Sequence, residues 1–180
     1  YLGLELSTIP LAALCNFDLH KIKSSESAAK MILSSAFASC ILLFGISMLY
    51  GTTGTLNFKE MAPFLGSSKL QVLAFIFTFA GFAFKLSAVP FHLWTADVYE
   101  GAPVPVTAYL SVISKGSMVF IFITVLFQLF QNYNATWFNR LYLTILLTIT
   151  SGNLFAIRQN NIKRFLALAS IEKVGYILLG

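Results

Sequence analysis

Long continuous apolar runs, rather than short alternating ones, organise this chain. A bilayer core about 30 Å thick needs roughly 20 apolar residues at about 1.5 Å rise each. Six windows of this kind can be laid on the sequence: Tyr1 to Cys15, Ala28 to Tyr50, Leu70 to Val89, Val104 to Phe130, Phe138 to Ile157 and Ile162 to Gly180. A membrane β-barrel would show segments of about ten residues with alternating polarity. Inside lipid only helices and closed barrels satisfy every backbone polar group. The pattern therefore predicts an all-α polytopic transmembrane bundle, with residues 1–180 forming a single transmembrane domain of about six helices. The first and last windows are incomplete and the chain opens without Met. The expectation is a piece of a longer bundle, or one part of a split subunit. The first window lacks a basic n-region and a small-residue cleavage site, so it is not read as a signal peptide.

The connections are polar: Asn16 to Ser27, Gly51 to Lys69, Pro90 to Pro103, Gln131 to Trp137 and Arg158 to Asn161. Lys21, Lys23, Lys30, Arg158, Lys163 and Arg164 fall in or beside the odd-numbered connections, against Lys59, Lys69 and Arg140 beside the even ones. The excess puts the first, third and fifth connections on the cytoplasmic or matrix side.

Composition supports the membrane reading: 57% of residues are hydrophobic, 11% are charged and the mean hydropathy is +0.78, well outside the range of soluble domains. The net charge of +5 is accounted for mostly by the basic connections. It fits topology and anionic membrane lipids, and no basic patch supports nucleic-acid binding. Cys15 and Cys40 lie in apolar windows without a CxxC spacing, and read as small buried hydrophobes. His20 and His92 lack a second ligand at helical spacing, so no metal site is expected. "GTTGTLNF" from Gly51 lacks the strand and the Lys-Ser/Thr of a phosphate loop.

Charges inside the windows need a reason, since each costs about 2.5–3.5 kcal/mol at the bilayer centre on insertion scales. Glu5, Lys85, Lys115 and Lys173 stand out. Lys85 lies roughly 22 Å along the third window at about 1.5 Å per residue. Pro90 follows it, and proline removes one helical hydrogen bond and clashes with the carbonyl four residues back. A helix broken near Pro90 is predicted. The carbonyls at the end of its first half would favour a protonated lysine, and Glu5 is the candidate partner carboxylate. Thr107, Ser111 and Ser114 are spaced to form a polar stripe beside Lys115, able to hold water or pass protons. Packing alternatives stay open: Glu5 and Lys85 as a purely structural pair, Lys173 neutralising Glu172, and the hydroxyl stripe as helix-packing glue.

"FKLSAVPFHLWTADVYEGAPVPVTAYLSVISKGS", from Phe84 to Ser117, resembles the signature segment of the N-type, or subunit 2, antiporter-like membrane subunits of NADH:ubiquinone oxidoreductase, respiratory complex I. "YLGLELSTIPL", "ESAAKMILSSAFASCILLFGISMLYGTTG" and "NLFAIRQNNIKRFLALASIEKVGYIL" resemble the same family in the same order. The other antiporter-like subunits of the complex, and multisubunit cation/proton antiporters, share the Lys, Pro, His-Trp layout but differ through "WTADVYEGAP". The resemblance implies part of an inverted-repeat antiporter-like fold with a broken helix. It also implies a proton-translocating role, with Glu5, Lys85 and Lys115 matching the family's proton-transfer groups. Lys173, which stands where many relatives have a histidine or another polar residue, is added to the proton-transfer set for its charge near the middle of the sixth window, and Pro90, His92, Asp97, Glu100, Ser111 and Ser114 are the expected supporting residues. The resemblance further implies no cofactor in this chain, with FMN, iron–sulfur clusters and ubiquinone held by other subunits. The expected partners are other membrane-arm subunits, membrane lipids and, if the chain is one part of a split subunit, a separate chain supplying the rest. A subunit of a multisubunit cation/proton antiporter is the alternative. Eighteen phenylalanines fit an AT-rich organellar genome and point to the mitochondrial inner membrane, although a bacterial plasma membrane satisfies them too.

Overall fold

In the computed structural model, residues 1–66, 68–130 and 136–179 are described, with the side chains of 136–140 left aside. Among these residues there is no strand. Helices run as α1 (Leu2–Cys15), α2 (Ile22–Thr53), α3 (Phe58–Met61), α4 (Lys69–Leu86), α5 (Leu93–Gly101), α6 (Val104–Tyr109), α7 (Lys115–Leu129), α8 (Thr136–Ile157) and α9 (Ile162–Leu179). A 3-10 turn, Ala62–Phe64, extends α3, and a π turn, Leu110–Ser114, joins α6 to α7. Among the described residues, three spans are long and apolar enough to cross a membrane: Ile22–Thr53, Lys69–Leu86 and Val104–Leu129. The expected fourth connection and Arg140 fall largely outside the described residues.

Local signals set the ends. Ser68 caps α4 by accepting from the Gln71 N–H at 3.3 Å, while the Gln71 side chain accepts from Gly66 N–H and donates to the Phe64 carbonyl. This Ser-x-x-Gln start is close to a capping box, with the glutamine turned to the preceding loop. Gly54, at φ 72°, closes α2 in the left-handed region that glycine enters without steric penalty. Asn161 caps α9 through the Lys163 N–H.

Helix α2, 32 residues and so about 48 Å long, is the spine. Helices α4 and α5 run back along it in series, because small residues let the backbones approach. A Cβ on Gly81 would lie 2.8 Å from Leu42 Cα, and one on Gly101 would lie 2.7 Å from Ser27 Cβ. Such close contacts replace the hydrophobic driving force that lipid does not supply between helices. Three of the four apolar clusters among the described residues stack along the bundle. Cys15, Met31, Val98, Tyr99 and Ala167 pack near one end, Leu42, Phe82, Leu86, Phe122 and Val174 in the middle, and Leu49, Met61, Phe75 and Leu129 near the other.

Two expectations need correction. The third connection was expected to run from Pro90 to Pro103, but Leu93–Gly101 is helical. Val98 and Tyr99 are buried there, and the segment continues the path of α4 along α2, leaving only Ala102 and Pro103 as the link. The second window starts earlier than expected, at Ile22, because Ser24 and Ser27 are buried with their hydroxyls donating to the Cys15 and Ser24 carbonyls.

Candidate functional site

The break around Pro90 is closed by side chains of α5 and α8 together with Ser87 at the end of α4. Ser87 ends α4 in the left-handed region at φ 62°, a conformation costing roughly 1–2 kcal/mol for a residue with a Cβ. The Ala88 N–H returns to the Ala83 carbonyl at 2.8 Å. Trp94 Nε1 donates to the Phe84 carbonyl at 3.1 Å, Thr95 donates to the Ser87 hydroxyl at 2.6 Å, and the Val89 N–H donates to Thr148 Oγ1 of α8 at 3.0 Å. Groups that the helix would otherwise have paired are thus satisfied within protein, the condition for irregular backbone at membrane depth.

Lys85 sits in the last turn of α4, where exposed carbonyl dipoles favour a cation. Its Nζ lies 3.1 Å from Glu5 Oε1, so the two groups expected to couple are in direct contact across α1 and α4. The same carboxylate oxygen accepts from Ser39 Oγ of α2 at 2.5 Å, the short range expected when a hydroxyl serves a carboxylate. Ser39 was not singled out from the sequence, where it is one of several serines in an apolar helix.

Lys115 opens α7 directly after the π turn, a distortion often found at functional positions. Only 5% exposed, it donates to Ser170 Oγ of α9 at 2.7 Å and lies 5.5 Å from the Tyr99 ring centroid, within cation–π range. No carboxylate is within ion-pair distance of it among the described residues. Lys85 and Lys115 line one cavity of roughly 60 Å³, together with Ser7, Ser34, Ser35 and Ser114. Two amines and four serine hydroxyls interrupt an otherwise largely apolar lining, and the volume has room for a few waters. The Ser35 hydroxyl is buried with no hydrogen-bond partner among the described residues.

The polar stripe expected beside Lys115 is only partly formed. Ser114 lines the cavity, but Ser111 donates to its own Ala108 carbonyl and Thr107 is buried with the Tyr99 and Pro103 carbonyls in reach. The π turn accounts for this, since it shifts the angular register of residues on either side. Lys173 lies on the exposed face of α9, with neither hydrogen bond nor ion pair among the described residues. It does not pair with Glu172, and Ser170 is the α9 residue that meets Lys115. His92 is buried at the start of α5, stacked 5.9 Å from Phe155, and its ring nitrogens have no well-formed hydrogen bond among the described residues.

Asp97 and Glu100 belong to a different constellation. Arg164 of α9 donates through Nη2 to Asp97 Oδ1 at 2.8 Å and through Nη1 to Glu100 Oε2 at 2.7 Å. Lys30 and Lys23 of α2 reach Asp97 and Glu100, each at 2.8 Å. Lys163 caps α5, donating to the Ala102 carbonyl at 2.7 Å. The ends of the first, third and fifth connections meet in this network. It anchors the second half of the broken helix and lies apart from the Lys85 cavity.

Residues 1–180 match the family described as NADH:quinone oxidoreductase/Mrp antiporter, TM. The chain is 55% identical over 179 residues to the NADH-quinone oxidoreductase subunit N of Phocaeicola vulgatus, covering 99% of this chain and 38% of that protein. It is 54% identical over 180 residues to the protein of the same name from Azobacteroides pseudotrichonymphae, covering 100% and 38%. Among solved structures it is similar to a chain of respiratory complex I from Thermus thermophilus with bound aureothin, with TM-score 0.84, 34% identity, and coverage of 99% of this chain and 38% of that one. A chain of the Mrp complex from Dietzia sp. aligns with TM-score 0.89 at 23% identity over 99% of this chain and 34% of that one, a likeness of fold alone.

Proposed function

Because the chain belongs to the family of membrane subunits shared by NADH:quinone oxidoreductases and Mrp antiporters, we propose that it forms part of a proton-translocating membrane-arm subunit of an NADH:quinone oxidoreductase. Redox chemistry in this reading takes place in other subunits, which hold the FMN, the iron–sulfur clusters and the quinone. This chain handles protons. The relatives it matches are NADH-quinone oxidoreductase N subunits of which it spans 38%, so the remaining length of such a subunit and the neighbouring membrane-arm subunits are the partners.

The observation that carries the reading is the single cavity lined by both Lys85 and Lys115, with Glu5 bonded to one lysine and no carboxylate on the other. The ionised Glu5 stabilises charge on Lys85. Neutralising or displacing it weakens that hold, and the ammonium then releases a proton to cavity water. Lys115, held by Ser170 and the Tyr99 ring, is the next acceptor. Water must separate the two amines, because adjacent like charges suppress each other's protonation. Lys173 carries the path onward only if a residue outside this chain meets it on the exposed face of α9.

A multisubunit cation/proton antiporter would use the same charged axis, and the fold likeness to the Mrp chain allows it. Identity to the N subunits favours the oxidoreductase. Those relatives are bacterial, so we take the membrane to be a bacterial plasma membrane and not the mitochondrial inner membrane that phenylalanine content suggested. An AT-rich genome explains the phenylalanines in either.

The test is Lys85→Met in the intact complex, a change that keeps most of the packing volume. Quinone reductase activity and membrane potential in vesicles should both fall at normal assembly. Normal values of both would overturn the reading.

A further inference from the structure

We propose that Ser39 is a positioning residue for Glu5, a buried hydroxyl that reverses its hydrogen bond as Glu5 gains and loses a proton. The inference rests on the proton-carrying reading of Glu5 and Lys85.

Ser39 Oγ has one hydrogen and two acceptors in reach: Glu5 Oε1 at 2.5 Å and the Ser35 carbonyl at 2.8 Å. A hydroxyl serves one such acceptor fully at a time, and also offers lone pairs as an acceptor itself. With Glu5 ionised, the hydrogen belongs on Oε1, beside the Lys85 ammonium that donates to the same oxygen at 3.1 Å. Transfer along that contact breaks a Lys85 N–H bond and forms a Glu5 O–H bond. A Lys85 ammonium and a Glu5 carboxylate become an amine and a carboxylic acid, with no electron exchanged. The Lys85 amine accepts the new acid O–H until it takes a proton from cavity water, which closes its lone pair; the acid O–H then needs another acceptor. Ser39 supplies it by turning its own hydrogen to the Ser35 carbonyl, so both protonation states are hydrogen-bonded without moving a heavy atom.

Position makes this specific. Ser39 is 5% exposed, and its neighbours Ala38 and Leu42 are 0% and 1% exposed, so water does not readily take its place. Helix α2 is the spine of the bundle, which keeps Oγ fixed relative to α1 and α4. An electrostatic partner held in place before the charge moves spares reorganisation during transfer.

The test uses the full-length subunit in its intact complex. Ser39→Ala should lower proton pumping about tenfold at normal assembly, the scale set by losing a hydrogen bond to a charged group. Ser39→Thr, which keeps the hydroxyl, should restore most of it. In infrared difference spectra, the protonated-carboxyl band that disappears in Glu5→Gln should shift in Ser39→Ala and stay in place in Ser39→Thr. Should the alanine variant fail to assemble, Ser39→Cys keeps nearly the same size with only a weak S–H donor, and should pump as poorly and shift the band. Wild-type pumping with an unmoved band in Ser39→Ala, or in Ser39→Cys where that variant stands in, overturns the proposal. So does a Ser39→Thr variant that assembles but pumps no better than the alanine. Glu5→Gln and Lys85→Met, measured alongside, separate the two ideas. Normal pumping in both removes the proton-carrying reading itself, whereas their failure with a silent Ser39→Ala removes only the role of Ser39.

Discussion

Trp94 bridges the break in the third apolar window: its indole N–H donates to the Phe84 carbonyl at 3.1 Å while the two rings lie parallel with centroids 6.3 Å apart. One residue of α5 thus satisfies a carbonyl at the end of α4 and covers the adjacent aromatic face. The lysine between the break and α1 depends on that geometry, because Lys85 directly follows Phe84.

Trp94→Phe keeps a ring but leaves the Phe84 carbonyl short of its partner across the break. Leaving a buried carbonyl less satisfied costs about 1–3 kcal/mol. A lower thermal midpoint of the purified complex is expected, with a smaller loss of pumping than in Lys85→Met. An unchanged midpoint would show that the Ser87 N–H, 3.1 Å from the same carbonyl, suffices there.

Arg164 joins two carboxylates with one planar group, a geometry that a lysine cannot reproduce. With the arginine side chain 37% exposed, Arg164→Lys and Arg164→Ala should each destabilise the α5–α9 junction by about 1 kcal/mol. The difference from wild type should shrink at high salt, where such pairs are screened. Thermal midpoints at two ionic strengths check both points, and a salt-independent loss would assign the effect to packing.

Gly101→Ala places a methyl against the Lys23 carbonyl and Ser27 of α2. Forcing that contact apart should cost about 1–3 kcal/mol and reduce the amount of assembled complex in membranes. Gly51→Ala, also helical but with nothing within 4 Å of the added carbon, should leave assembly unchanged or slightly raised. Equal behaviour of the two variants would contradict the close packing of α5 on α2.

Ser170→Ala removes the only side-chain hydrogen bond described for Lys115. Pumping should drop about tenfold while assembly holds, since the small change leaves the Ala167 and Ile171 packing in place. Quinone reductase activity at matched complex content is the measurement, and wild-type activity would show that Tyr99 and cavity water hold the amine without it.

Much of the architecture follows from local physics that a single sequence exposes. Apolar runs long enough to span lipid specify helices, because an unpaired backbone group there is too unfavourable to tolerate. Pro90 breaks its helix for reasons contained in its own ring. Glu5, Lys85 and Lys115 are conspicuous because charge in an apolar window needs a purpose, and the pairing of Glu5 with Lys85 followed from opposite signs in such windows.

Tertiary packing decided the rest. Nothing near Asp97 and Glu100 indicates that Lys23, Lys30 and Arg164 would gather on them, since those residues are more than 60 positions away in sequence and meet only when α2, α5 and α9 converge. Lys173 and Lys115 look alike along the chain, yet one faces outward and the other is enclosed, because a one-residue step on a helix turns a side chain by about 100°. Ser39 and Ser170 resemble every other serine in an apolar helix. They become partners of Glu5 and Lys115 through the side of α2 and α9 on which they lie, and that side is set by helix packing across the whole bundle.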